Sequence, residues 1–223
     1  MINVSVGSPL AAVRLATSVM AFGALIAFPS LASAEAPKTE PVANKNMPVG
    51  ALIEAMQKGG TVIYIRHAST EKDYADQVSA KMGNCATQRT LSEAGWKEAK
   101  AIGRAFKKNK VPHDSVVSSE YCRAWQTADL AFNEYDKNAA LNFAPAEEYT
   151  EEQWAGMKNN IMPLLTKAPK EGTNAIIVAH DDPFEAATGI YPEPMGVTYV
   201  IMPKGDSFEI LGSIAPDKWN DAK

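Results

Sequence analysis

The chain has 223 residues, with 22 Lys+Arg against 26 Asp+Glu and a formal net charge of −4. That acidic balance offers no basic surface for nucleic acid, so any anionic ligand must be held by a local pocket. The length beyond an N-terminal leader suits one globular domain.

Arg14 is the only charged residue among the first 34, residues 15–28 are almost wholly apolar, and Ala32-Ser33-Ala34 offers small residues for cleavage before Glu35. This layout predicts a secretory signal peptide over residues 1–34, with an apolar core shorter than the ~20 residues that a membrane span needs. An uncleaved anchor is the alternative. Loss of Arg14 with the leader leaves 21 basic against 26 acidic residues. The expectation is a periplasmic or secreted protein with no stable membrane span after cleavage. Cys85 and Cys122 are the only cysteines; an even count in an oxidising compartment predicts a disulfide, with two separate buried thiols as the other reading.

Residues 35–47 are rich in Pro, Lys, Glu and Asn without apolar periodicity and read as a flexible segment ahead of a domain over residues 48–223. Residues 49–58 form a short helix closed by Gly59-Gly60, and residues 61–65, all of strand-forming type, run into Arg66-His67. Residues 69–89 are polar, carry mixed charge and show no period; a loop of that length inside a compact domain is usually functional, here as a rim or lid. Residues 91–108 give the clearest helix, capped by Ser92, with Trp96, Ala99, Ile102, Gly103 and Phe106 on the inward face. A strand over 115–118, a helix over 120–132, a brief strand over 142–144 and a helix over 151–167 follow, the last kinked or ended by Pro163. Residues 174–179 form a strong strand ending in His180, and residues 197–202 and 208–214 a hairpin. Trp96, Trp125 and Met157 read as core, and His113, in a loop after Pro112, as surface. This alternation predicts an α/β fold: a three-layer αβα sandwich on a mainly parallel sheet with an antiparallel C-terminal edge.

Strands that end in polar residues then carry the chemistry. Ligands of open α/β sheets bind beyond the carboxyl ends of parallel strands. One strand ends in Arg66-His67, a second leads through Ser118-Ser119-Glu120-Tyr121-Cys122 to Arg123, and a third ends in His180-Asp181-Asp182. Guanidinium forks and imidazoles gathered at one edge suit a phosphate. No H-x-H or H-E-x-x-H spacing points to a metal.

Four segments in this order resemble the histidine phosphatase superfamily, relatives of phosphoglycerate mutase and acid phosphatase. They are Arg66-His67-Ala68, where the family has Arg-His-Gly; Gln88-Arg89-Thr90-Leu91-Ser92-Glu93-Ala94-Gly95; Ser118-Ser119 to Arg123 with Gln126-Thr127-Ala128; and Val178-Ala179-His180. The resemblance implies a phosphoglycerate mutase-like fold and a phosphohistidine formed on His67. It implies that Arg66, Arg123 and His180 hold the phosphoryl oxygens, and that neither cofactor nor metal is needed. Arg89, Ser69 and Thr70 are secondary candidates for phosphate contacts, with plain solvation as the other reading for Arg89. Ala68 in place of glycine matters if the backbone there is left-handed, which would cost ~1 kcal/mol or more.

The resemblance leaves the proton donor open. In the acid phosphatase branch it is the Asp after the second His, which maps to Asp181; in the mutase-like branch it is an upstream Glu, for which Glu147 and Glu148 are candidates. The sequence Arg66-His67-Ala68-Ser69-Thr70, and the lack of room for a helical insertion, favour the mutase-like branch and its glutamate. Asp181-Asp182 also suits a plain helix N-terminus. The expected function is an exported phosphomonoesterase acting on a small-molecule or biomolecular phosphate ester. The competing reading is a catalytically weak phosphate- or partner-binding protein of the same fold. A mutase is disfavoured, because export would separate it from cytosolic sugar phosphates.

Overall fold

A computed structural model of the chain describes residues 41–71, 76 and 78–219. The leader expected over residues 1–34 lies outside the described residues, as does part of the polar stretch after Thr70. Among the described residues no helix is long and apolar enough to cross a membrane.

Helix α1 (Val49–Lys58) ends on Gly59 at φ 78, and β1 (Val62–Arg66) follows. Then come α2 (Glu93–Lys108), β2 (Ser115–Ser118), α3 (Cys122–Phe132) and β3 (Asp136–Lys137). The chain closes with α4 (Glu151–Thr166), β4 (Ala175–Ala179), α5 (Asp181–Thr188), β5 (Thr198–Lys204) and β6 (Ser207–Ile214). The six strands form one sheet in the order β3-β2-β4-β1-β5-β6. Strands β1, β2, β3 and β4 pair in parallel, while β5 is antiparallel to both β1 and β6.

Two apolar layers explain the sandwich. Alternate side chains of β1 and β4 point to opposite faces. Ile63, Ile65, Ile176 and Val178 pack with Leu52 and Met56 of α1, Ile102 and Phe106 of α2 and Ala128 of α3. Val62, Tyr64, Ile177 and Ala179 pack with Ile161 and Leu165 of α4 and Phe184 and Ala187 of α5. The register pairs Arg66 with Ala179 and Ser118 with Val178, so β1, β2 and β4 end level at one edge.

Several expectations need correction. The buried stripe of α2 is Gly95, Ala99, Ile102 and Phe106, whereas Trp96 is 48% exposed. The stripe can pass through residue 95 because it has no side chain: a Cβ there would lie 1.8 Å from the Ser69 carbonyl oxygen. That oxygen in turn accepts the Ser92 N–H at 3.0 Å. Trp125 is half-buried, stacked on Tyr135 with Lys137 over its ring, while Met157 is buried as expected.

Residues 142–144 form no strand, because Asn142 turns its side chain back to Ser119 and Glu120, and β3 takes the sheet edge instead. Helix α4 runs past Pro163 to Thr166. Pro163 and Asn159 are both exposed, so the carbonyl deprived of its partner faces water while Trp154, Met157, Ile161 and Leu165 stay buried on the inner side. His113 is half-buried against Phe132. Residues 42–47 are tied down, with Lys45 and Met47 N–H groups donating to Ile210 and Leu211 along β6. Packing therefore starts upstream of residue 48.

Gly95→Ala should cost ~1–3 kcal/mol, because backbone rather than a mobile side chain blocks the new methyl. Thermal or urea unfolding checks this, with Ala94→Ser on the exposed side as a near-neutral control.

Candidate functional site

At the end of β1 the backbone is clamped from both sides. His67 N–H donates to the Ala179 carbonyl at 2.9 Å, and the His67 carbonyl accepts the Gly196 N–H at 3.0 Å. Ala68 N–H donates to Thr127 Oγ1 at 3.0 Å, and Thr127 Oγ1 donates to the Arg123 carbonyl at 2.7 Å. Ala68 is fully buried and is not among the positive-φ residues, which outside glycine are Asn46, Lys110 and Asn133 among the described residues. The alanine therefore carries no left-handed strain.

His67 is fully buried, with Nδ1 2.9 Å from the Ala68 carbonyl oxygen. A carbonyl can only accept, so Nδ1 bears the hydrogen and Nε2 presents a lone pair. Arg123 Nε donates toward that lone pair at 3.3 Å. Burial first, then Arg123, hold the imidazole well below its ordinary pKa, which keeps it neutral.

Each arginine arrives from a different element. Arg66, 4% exposed, donates through Nη1 to the Pro192 carbonyl at 2.9 Å and through Nη2 to Asp181 Oδ2 at 2.5 Å and to Tyr191 Oη at 3.1 Å. Arg123, from the first turn of α3, pairs through Nη1 with Asp76 Oδ2 at 2.9 Å. Burial pulls its guanidinium below the ordinary value and Asp76 opposes that. Asp76 also accepts the Arg89 N–H at 2.7 Å. The Nε atoms of Arg66 and Arg89 are buried and have no hydrogen-bond partner among the described residues.

His180 has its own positioning chain. Asn142 Oδ1 accepts the Glu120 N–H, and its amide nitrogen donates to Glu120 Oε2 at 2.8 Å, which fixes the amide's orientation. Ser119 Oγ then spends its single hydrogen on Asn142 Oδ1 at 2.8 Å and must accept from His180 Nε2 at 2.8 Å. His180 Nδ1 is left without a partner among the described residues, and burial together with Arg123 holds this ring well below its ordinary pKa. The two imidazoles meet edge to face at 5.4 Å.

Arg66, Arg89 and Arg123 line a cavity of about 440 Å³ with Ser69, Tyr191, Asp181, Asp182, Glu193, Pro194 and Met195. Asp181 is held below the ordinary carboxylate pKa: burial would raise it, but Arg66 and the Tyr191 hydrogen bond outweigh that. Asp182, its neighbour in the first turn of α5, accepts the Tyr149 O–H at 3.0 Å and is pushed up to about 7 by burial and by Asp181. Glu147 and Glu148 are exposed and do not line the cavity. Thr70 is buried and pairs with Leu91 and Met195 rather than facing the arginines. Among the described residues no group of His, Cys, Asp and Glu is arranged to hold a metal ion.

Cys85 and Cys122 are joined in a disulfide with Cα atoms 5.7 Å apart. With the Cys122 N–H donating to Gln88 Oε1 at 2.7 Å, it ties the segment bearing Asp76 and Arg89 to the start of α3.

The family model of the histidine phosphatase superfamily (branch 1) matches residues 62–174. The chain belongs to that superfamily. Among solved structures, the protein histidine phosphatase SixA, complexed with tungstate, is 16% identical at a TM-score of 0.51, covering 71% of this chain and 98% of its own. A candidate alpha-ribazole-5'-P phosphatase from Escherichia coli K-12 is 14% identical at a TM-score of 0.54, with 71% and 98% covered. At such identity the likeness is one of fold, that of the phosphoglycerate mutase-like phosphatases. A search of curated proteins finds no match. The histidine phosphatase fold supports phosphatase activity.

Sequence reasoning singled out Arg66, His67, Arg89, Arg123, His180 and Asp181, and the structure gathers all six within or beside one cavity. It missed Asp76, Ser119, Asn142, Tyr149 and Tyr191 as members of this site, and it read Asp182 only as part of a helix start. Asp76 sits in a stretch without period, and Tyr191 lies 125 residues from Arg66, so no local pattern exposes either. Ser119→Ala should leave the His180 Nε2–H buried without an acceptor, costing ~1–3 kcal/mol. It should also lower kcat about 10- to 100-fold through misorientation of the ring, which unfolding and single-substrate kinetics together would reveal; wild-type kcat in a destabilised variant would contradict the positioning role.

Proposed function

We propose that the protein is an exported phosphomonoesterase that works without a metal, through a phosphohistidine on His67. The observation that carries this reading is the His67 ring itself: Nδ1 is pinned on the Ala68 carbonyl, and the Nε2 lone pair faces Arg123 beside an arginine-lined cavity. A neutral imidazole with one nitrogen fixed is the form that attacks phosphorus.

An entering phosphoryl group brings spread negative charge, so positioning and electrostatic stabilisation supply most of the catalysis. Arg66 and Arg123 grip its oxygens, Arg89 adds a third guanidinium, and His180, which takes up a proton at Nδ1 as the dianion seats, donates to it. An oxygen that takes the Arg123 Nε donor releases the His67 lone pair it had engaged. The Nε2–P bond then forms as the bond to the leaving oxygen breaks, and that oxygen is protonated. Water next attacks phosphorus, the Nε2–P bond breaks, and inorganic phosphate leaves. The acidic net charge and this pocket suit a phosphate ester rather than nucleic acid. The apolar leader and the Cys85–Cys122 disulfide support a periplasmic or secreted location.

His67→Ala should lower hydrolysis of an aryl phosphate at least about 1000-fold. Rapid quenching of the wild type with labelled substrate should trap an acid-labile adduct that the variant lacks; label retained in the variant would displace His67 as nucleophile. A second expectation concerns pH. Because His67 is held neutral well below 6.5 in the free protein, kcat/KM should show no loss through its protonation between pH 7 and 6. An acid limb of kcat/KM centred at 6.5 or above would contradict the neutral, buried imidazole.

A further inference from the structure

We propose that Asp182 is the acid that protonates the leaving oxygen, held in place by Tyr149, and that neither Asp181 nor the upstream glutamates play that part. The inference rests on the phosphomonoesterase reading above and names the group which that reading leaves unassigned.

Three observations converge. Asp182 lines the same cavity as Arg66, Arg89 and Arg123, the space a phosphate ester must occupy. Tyr149 donates to Asp182 Oδ2 at 3.0 Å, which leaves Oδ1 to carry the exchangeable hydrogen and fixes the carboxyl's rotation. Its neighbour is unsuited to the role: Asp181 Oδ2 takes hydrogen bonds from Arg66 at 2.5 Å and Tyr191 at 2.7 Å, a double engagement that keeps it ionised. Glu147 and Glu148 stand exposed, outside the cavity. Two adjacent carboxyls thus occupy environments that push their proton affinities apart, and such a pair assigns its acid by environment.

The groups facing Asp182 agree with this division. Asp181 and Glu185 on its own helix are carboxylates that favour its neutral form, with burial as the largest cause. The Tyr149 hydroxyl ahead of α4 and Arg123 on α3 pull the other way. Arg66, Arg89 and Glu193 line the rest of the cavity. A bound phosphoryl dianion adds a further negative charge and favours the protonated carboxyl once substrate is seated.

The step balances. As His67 Nε2 bonds to phosphorus and the P–O bond breaks, the Asp182 proton moves to the departing oxygen and the alcohol leaves. The Asp182 carboxylate then takes a proton from the water that attacks the phosphohistidine, returning both residues to their starting forms with release of inorganic phosphate.

The test varies the leaving group. Phenyl phosphate needs a proton on its departing oxygen, whereas dinitrophenyl phosphate releases dinitrophenolate readily as the anion. Asp182→Asn should lose about 100- to 1000-fold in kcat/KM on phenyl phosphate, and the loss on dinitrophenyl phosphate should be at least about tenfold smaller, which also shows that the variant folds. The wild-type kcat/KM on phenyl phosphate, which covers only the step that needs the acid, should fall as pH rises and Asp182 ionises, a basic limb that Asp182→Asn abolishes. Tyr149→Phe, which removes a donor to the carboxylate, should move that limb to higher pH; an unmoved limb would overturn the part given to Tyr149. Equal losses on the two substrates, no loss on either, or the leaving-group-dependent loss appearing in Asp181→Asn or Glu148→Gln instead, would overturn Asp182 as the acid. A wild type inactive on both substrates would bring down the phosphomonoesterase reading itself, a result separate from any of these.

Discussion

The hydrogen bond between His67 Nδ1 and the Ala68 carbonyl is the contact on which the site depends, because it decides which ring nitrogen has a lone pair to offer. That carbonyl stands where it does only because neighbouring elements hold the backbone around it. The Ala68 N–H is taken by Thr127 of α3, the His67 N–H by Ala179 of β4, and the His67 carbonyl by Gly196. Parallel pairing that levels Arg66 with Ala179 then brings His180 to the same edge. The sheet therefore does more than carry the site: its register sets the distance between the two imidazoles.

Around this ring the protein buries charge and balances it. Arg66 and Arg123, at 4% and 3% exposure, would be costly to bury alone. Each has an acidic partner, Asp181 for the first and Asp76 for the second. Among the described residues Arg66 Nε and Arg89 Nε are donors without a partner, and His180 Nδ1 is likewise without one. Asp182 is the exception to the pairing. It has a hydroxyl for a partner rather than a cation, and beside an ionised Asp181 it is the carboxyl whose proton affinity rises. A disulfide fastens the segment of Asp76 and Arg89 to the helix that presents Arg123, so these charges come as a fixed group.

Close helix approach extends the same logic beyond the site. Gly95 lets α2 lie against the Ser69 carbonyl directly after the His67 turn, and the Ser92 cap bonds to the same oxygen. The inward stripe consequently runs through a glycine, and the adjacent Trp96 turns outward. A pattern of large apolar residues alone misplaces that stripe by one position.

The alternation of strands and helices was legible in the sequence, since burial on both sheet faces requires apolar runs such as residues 62–65 and 175–179. So were Arg66, His67, Arg123 and His180, because each closes or directly follows a strand or opens the next helix and lies in a recognisable local motif. The sequence by itself thus determined the layer order and the residue types available for phosphate chemistry. Only the tertiary structure decided how those types are divided into roles. The tautomers of His67 and His180 depend on Ala68, Ser119 and Asn142, and the contrast between Asp181 and Asp182 depends on Arg66, Tyr191 and Tyr149. Proton affinity is a property of neighbours within a few ångströms, and here most of those neighbours come from distant parts of the chain.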